Sequence, residues 1–362
     1  MPTAATAVKG TKLALKVAAL VLVVASAATY MIALALGPVL FFSTSDGLNV
    51  ASRVIQGLPI DIFMAVTIPL PLHISYGALF IAVWALFVAC IVLAWVDRVG
   101  FLQTLRDALS KPLSLAKSSS LFTLPLVATA LLSATVLIQD LQESEGVQTG
   151  GLVFPPATSP FVILMNLAFA PLREELAFRI TSIGIPAGIS LIILYRHDPK
   201  IQGLSRKIKL ILLAMFSPEL AKAKMGHKTV GANGFLHGIT ALEWVLILLT
   251  AAIFGLAHYL LGAGWEVGKI STAFLAGLLL AIMYVAYGAH AAILLHWFFN
   301  YYFTVLDMAS STFGGMFSAL SNLTVVANLT AGYIVLIVFL LAMALKLADY
   351  LTLRAAGLKR GE

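Results

Sequence analysis

Charge is what this chain has least of. Asp, Glu, Lys and Arg make up 11% of its residues, against about 25% in soluble domains, which excludes an ordinary water-soluble globule. Cysteine is scarcer still, because Cys90 stands alone. A single cysteine excludes a disulfide framework within the chain and any cysteine-cluster metal site. Set in an apolar run, Cys90 reads as a small buried hydrophobe. The His-Glu-x-x-His helix of zinc peptidases is missing too, as are an internal repeat and a low-complexity linker. Acidic residues number 16 against 23 basic ones, for a net charge of +7. In so apolar a chain that surplus points to loops facing anionic lipid and not to nucleic acid.

Hydrophobicity is abundant. Apolar residues make up 60% of the 362, and the mean hydropathy is +0.99. Several runs approach the roughly 20 apolar residues that cross a bilayer. The expected fold is all-α: a polytopic membrane protein of about eight transmembrane helices around a polar intramembrane cavity. Spans are expected at 17–42, 75–95, 121–138, 160–195, 241–262, 268–287, 289–307 and 329–350. Ala25-Ser26-Ala27 resembles a signal-peptidase site, but the apolar run continues past it, so the first span is expected to stay uncleaved. Residues 43–74, with Pro59, Pro69 and Pro71, read as a loop whose apolar part, Leu58 to Leu72, lies at the interface. Gly184 and Pro186 are expected to interrupt the fourth span. Within the polar insertion 196–239, the short run Ile208 to Phe216 reads as an amphipathic helix on the membrane surface.

Eight spans put both termini on one side. Placing that side in the cytoplasm collects the N-terminus, the 97–120 loop, the 196–239 insertion and the C-terminal tail there, with 19 of the 23 lysines and arginines. The positive-inside rule favours this arrangement, in a cell membrane. The 308–328 segment becomes an outside loop, compatible with two glycosylation-like sequons at Asn322 and Asn328. Three regions follow: 1–159, three spans with no recognisable motif; 160–305, the motif-bearing core with its basic insertion; and 306–362, an outside loop, a last span and a basic tail.

Ionisable residues inside apolar helices cost about 2.5–3.5 kcal/mol each on insertion scales, so they need a reason. Three motifs carry them. The first is Glu174-Glu175-x-x-x-Arg179. Glu175 and Arg179 stand four apart, acid first, the favoured order for a helical ion pair. Glu174 points about 100° away and has no local partner, which makes it the better candidate for chemistry. The second is Phe254-x-x-x-His258, and the third His296-x-x-x-Asn300, whose spacing puts both side chains on one helix face. Each motif alone could be an inert polar clasp between helices. Together they offer a general base, a partner for its proton and two donors for an oxyanion, a set able to add water to a carbonyl. His73, His197, His227 and His237 read as solvated. His290 and the aromatic run Trp297 to Phe303 read as packing.

In that order on successive apolar helices, the three motifs resemble the CAAX protease and bacteriocin-processing family. Its type II CAAX prenyl endopeptidases, the Ras-converting enzymes, are intramembrane glutamate endopeptidases of eight spans. The resemblance covers roughly residues 160–305. It implies that Glu174 with His258 activates the attacking water and that His296 and Asn300 hold the oxyanion. Glu175, Arg179 and Phe254 would support them. It implies a membrane-anchored or lipidated protein substrate cut near the cytoplasmic face, and no cofactor is expected. The chain departs from the family in having Ile180 where glycine is frequent after the arginine, and in its long interval from Glu174 to His258.

Two other classes compete. A zinc-dependent intramembrane protease would use Glu174, His258 and His296 as ligands, although Asn300 is a better oxyanion donor than metal ligand. An ion- or proton-coupled transporter would use the same charges for binding, and broken helices in matching positions of two halves would mark it. A catalytically silent scaffold is a further alternative, against which the complete motif set speaks.

Overall fold

The computed structural model describes residues 4–64, 66–111 and 113–355. The tail cations Lys359 and Arg360 lie outside them.

The architecture is helical. Helix α1 (Ala4–Ser43) leads through α2 (Ser45–Ser52) into a β-hairpin, β1 (Val54–Ile62) and β2 (Val66–Ser75). Then come α3 (Tyr76–Val96), α4 (Phe101–Ser110), α5 (Ser120–Ser144) and α6 (Pro160–Glu175). A π-helical segment, Leu176–Gly184, joins α6 to α7 (Ile185–Leu194). The basic insertion folds as α8 (Leu204–Phe216), α9 (Pro218–Lys224) and α10 (Val230–Gly238). Helices α11 (Ala241–Leu260), α12 (Lys269–Tyr287) and α13 (Ala289–Trp297) follow. A second π segment, Phe298–Tyr302, leads to α14 (Phe303–Phe313) and α15 (Gly315–Ala355).

Among the described residues, seven helices are long and apolar enough to cross a membrane. They match every expected span except 289–307. That stretch lies within the unbroken helix Ala289–Phe313, whose hydropathy is diluted by His290, His296 and Asn300. It is nonetheless the centre of the bundle: Trp297, Phe298, Tyr301 and Tyr302 are buried, and their rings meet Tyr30 and Phe87. Cys90 is buried, as expected.

Three local expectations are corrected. Residues 43–74 are not a loop, because most of them form an antiparallel hairpin with Pro59 opposite Pro69. Proline cannot donate to a ladder, and the pattern passes for a loop in sequence; a bulge at Gly57 (φ 88°) absorbs the register shift between Gln56 and Leu58. Gly184 and Pro186 do not break the fourth span. Wider π turns precede Pro186, and hydroxyls bond carbonyls there: Thr181 Oγ1 donates to Leu176 O at 2.8 Å and Ser182 Oγ to Ala177 O at 2.7 Å. Residues 308–328 are no outside loop. Helix α15 begins at Gly315, and Asn328 is buried with its Nδ2 on Thr324 O. Contact of Gly332 and Leu329 with Thr129 and Ser133 of α5 draws this helix into the bundle.

The run Ile208 to Phe216 is helical, within α8. It runs antiparallel along α7: a Cβ at Gly184 would come within 2.6 Å of Met215 Cα, and one at Gly188 within 2.9 Å of Ile211 Cα. Leu210 and Ala214 are buried, while Leu204, Ile208, Leu212 and Phe216 form an exposed stripe.

The basic segments gather at one end of the bundle. Lys16 Nζ donates to Lys111 O, and Arg98 pairs with Glu219 at 3.0 Å while its other amino group bonds Ala286 O at the end of α12. Nearby, Lys222 pairs with Glu243 at 2.9 Å, at the start of α11. At the other end, the 145–159 and 261–268 segments meet through a Gly150–Trp265 bridge.

Candidate active site

Helix α6 carries Glu174 and Glu175 in its last turn, and Arg179 follows in the π segment. Glu175 and Arg179 are fully buried and paired, Oε1 to NH1 at 3.1 Å. This is the pairing that their spacing favours. Arg179 also donates to Gly277 O at 3.2 Å and lies over the Phe254 ring, 4.5 Å from its centroid. Gly277 leaves room for this: a Cβ there would meet Phe254 at 3.1 Å.

Glu175 does something the sequence did not reveal. Its Oε1 also accepts from His296 Nδ1 at 2.8 Å. The carboxylate fixes the ring so that Nε2 is the free edge. That edge faces Asn300 Nδ2 at 3.4 Å and Glu174 Oε2 at 3.6 Å. The helical spacing of His296 and Asn300 therefore converges as expected, and Glu174 meets them from another helix. Glu174 is about one-third exposed, and its Oε2 has no hydrogen-bond partner among the described residues.

His258 is oriented in the same manner. Its Nδ1 donates to Phe254 O at 2.8 Å, leaving Nε2 free. Glu174, His296 and Lys269 all lie within electrostatic range of it. Phe254 sits between the two histidines, 4.6 Å from the His258 ring and 6.0 Å from the His296 ring, both edge-on.

Three neighbours escaped sequence reading. Asp61, on the hairpin, accepts from Arg173 Nε at 2.9 Å, beside Glu174. The hairpin tip is pinned to the π segment, with Phe63 N donating to Thr181 Oγ1 at 2.9 Å and Met64 N to Ala177 O at 3.2 Å. Lys269 lies over Trp265 at 3.9 Å and within electrostatic range of Glu174. The unusual density of Asp61, Arg173 and Lys269 in or beside apolar sequence was the available signal. His290, read as packing, is instead held by Asp97 and Ser120 at 3.1 and 3.2 Å, away from the site.

Glu174, His258 and His296 are near neighbours, but among the described residues no three His, Cys, Asp or Glu side chains are placed to hold one metal ion. Apolar cavities of about 480 and 490 Å³ lie elsewhere, beside α7 and beside α12, and the site residues line neither.

Residues 156–302 match the family model described as Type II CAAX prenyl endopeptidase Rce1-like. The match takes in all seven motif residues and leaves the hairpin and the first three spans outside. No curated protein and no solved structure matches the chain.

Proposed function

We propose that this chain, a membrane protein whose residues 156–302 match the Rce1-like model of type II CAAX prenyl endopeptidases, hydrolyses a peptide bond in a membrane-anchored or lipidated protein. The observation that carries the reading is the free Oε2 of Glu174, a carboxylate oxygen 3.6 Å from His296 Nε2 with no hydrogen-bond partner of its own. A water between Glu174 and the histidines would have an acceptor for its proton and a carbonyl to attack.

In this mechanism Glu174 takes the proton as water oxygen bonds to the carbonyl carbon. The carbonyl π electrons move onto oxygen, and Asn300 Nδ2 donates to the resulting oxyanion. His296 joins it from Nε2 when the ring carries both protons, since Nδ1–H is committed to Glu175. Protonated Glu174 then returns the proton to the departing amine as the C–N bond breaks. His258, its Nδ1–H held by Phe254 O, offers Nε2 to share that proton. Glu175 and Arg179 neutralise one another and hold His296 in register. No metal is needed for any of these steps. A zinc mechanism makes the opposite prediction, since a chelator would then abolish activity.

The test is purified protein in detergent or nanodiscs with a quenched membrane-anchored peptide. The wild type cleaves it and Glu174→Ala does not. Equal cleavage by both discards the proposal. Peptides with and without a prenylated CAAX end decide whether lipid on the substrate is required.

A further inference from the structure

Three cations stand beside the candidate site, and two of them are paired. Arg179 meets Glu175 at 3.1 Å. Arg173 is held by Asp61 of the hairpin, its Nε on Oδ2 at 2.9 Å. Lys269 makes no ion pair and no side-chain hydrogen bond among the described residues. Its Nζ lies instead over the Trp265 ring, 3.9 Å from the centroid. No step of the proposed hydrolysis uses it.

The packing of α11 on α12 fixes where Lys269 sits. The two helices run antiparallel and nearly touch. A Cβ on Gly277 would come within 3.1 Å of Ala251 Cα, and one on Gly255 within 2.7 Å of Ile270 O and 3.1 Å of Phe274 N. Continuing that register by one helical turn brings Lys269 level with His258 and Tyr259. The electrostatics agree, because Lys269 is within range of both His258 and Glu174. Yet neither Glu174 nor Glu266 forms an ion pair with the ammonium, which belongs to a half-buried residue.

A half-buried ammonium without a counter-charge is costly to keep in an apolar bundle, and a ring face offsets only part of that cost. In such surroundings it attracts an anion far more strongly than it would in water. Hydrolysis at Glu174 brings a group of that sign to the site. Acidic side chains are rare in the apolar part of a membrane-anchored substrate, but the C-terminal carboxylate of a chain is always present.

We infer that Lys269 binds the C-terminal carboxylate of the substrate, so that the cut falls shortly before a free chain end and not in the middle of a chain. The carboxylate belongs to the portion that leaves with the new amine, and the ammonium, a compact charge with three donors, holds that portion in place. This deepens the peptidase reading and rests on it for cleavage, though not for binding.

The test compares two quenched membrane-anchored peptides that differ only at the end, a free carboxylate or a carboxamide. With the wild type, kcat/KM should favour the free acid by ~10–100-fold, mostly through KM, as a charge-assisted hydrogen bond would give. In Lys269→Met that preference should disappear, and Lys269→Arg should restore most of it. The preference is a ratio within each variant, so a general loss of folding or rate does not mimic the result. Equal cleavage of both peptides by the wild type, or an undiminished preference in Lys269→Met, overturns the inference. Binding is measured separately by calorimetry on Glu174→Gln, which should take the free acid ~10–100-fold more tightly than the amide, and should lose that difference when Lys269→Met is added. Equal affinities overturn the inference. If the acid binds preferentially through Lys269 while the wild type cuts neither peptide, the carboxylate site stands and the peptidase reading fails.

Discussion

Two groups of buried charges sit in this molecule, and they are finished to different degrees. At the basic end, Lys222 Nζ meets both Glu243 Oε2 and Gly238 O, and the same Glu243 caps Thr240 N. Glu219 there accepts from Arg98, Val230 N and Gly231 N. At the site, Glu174 Oε2, Glu175 Oε2 and Arg179 Nε have no hydrogen-bond partner among the described residues. A buried polar atom without a partner costs about 1–3 kcal/mol. A network that only holds helices together is expected to satisfy its members, as the first does. The second keeps valences open, as the proposed hydrolysis, with its water and developing oxyanion, requires.

The largest test of this difference is Glu174→Gln. It keeps shape and loses the base, and should lower kcat by ~10²–10⁴-fold with the melting temperature in detergent unchanged. Asn300→Ala should cost ~10²–10³-fold in kcat, the usual loss for one oxyanion donor, with little change in KM. Steady-state kinetics on the anchored peptide check both. Lys222→Met should do the reverse. It leaves Glu243 buried and unpaired, at about 3–5 kcal/mol of stability, while activity per folded molecule holds. Lys222→Met with Glu243→Gln should recover most of the loss in a thermal melt. The smallest effect is expected of Thr181→Val. Removing the acceptor of Phe63 N should cost about 1 kcal/mol and appear as faster hydrogen exchange at the hairpin tip. If Lys222→Met silences the folded enzyme, or Glu174→Gln mainly unfolds it, the distinction between the networks collapses.

The sequence carried the helices, the seven motif residues and the ion pair of Glu175 with Arg179, because period and spacing dictate them. It did not carry the bond from Glu175 to His296, which joins residues 121 apart. Nor did it carry the hairpin: Gly57, Pro59 and Pro69 read as loop residues until the strands are paired. The π segments were hidden because composition does not distinguish them from α-helix. The central helix Ala289–Phe313 was legible as a span, although His296 and Asn300 lower its hydropathy. The 308–328 segment misled because Ser, Asn and Gly look like a loop when the partner surface on α5 is unknown.

The most direct measurement places Glu174→Gln and Lys222→Met side by side, each assayed for cleavage of the anchored peptide and for melting temperature. The account predicts a stable, inactive first variant and an unstable, active second one. A Glu174→Gln protein that cleaves at the wild-type rate would contradict it.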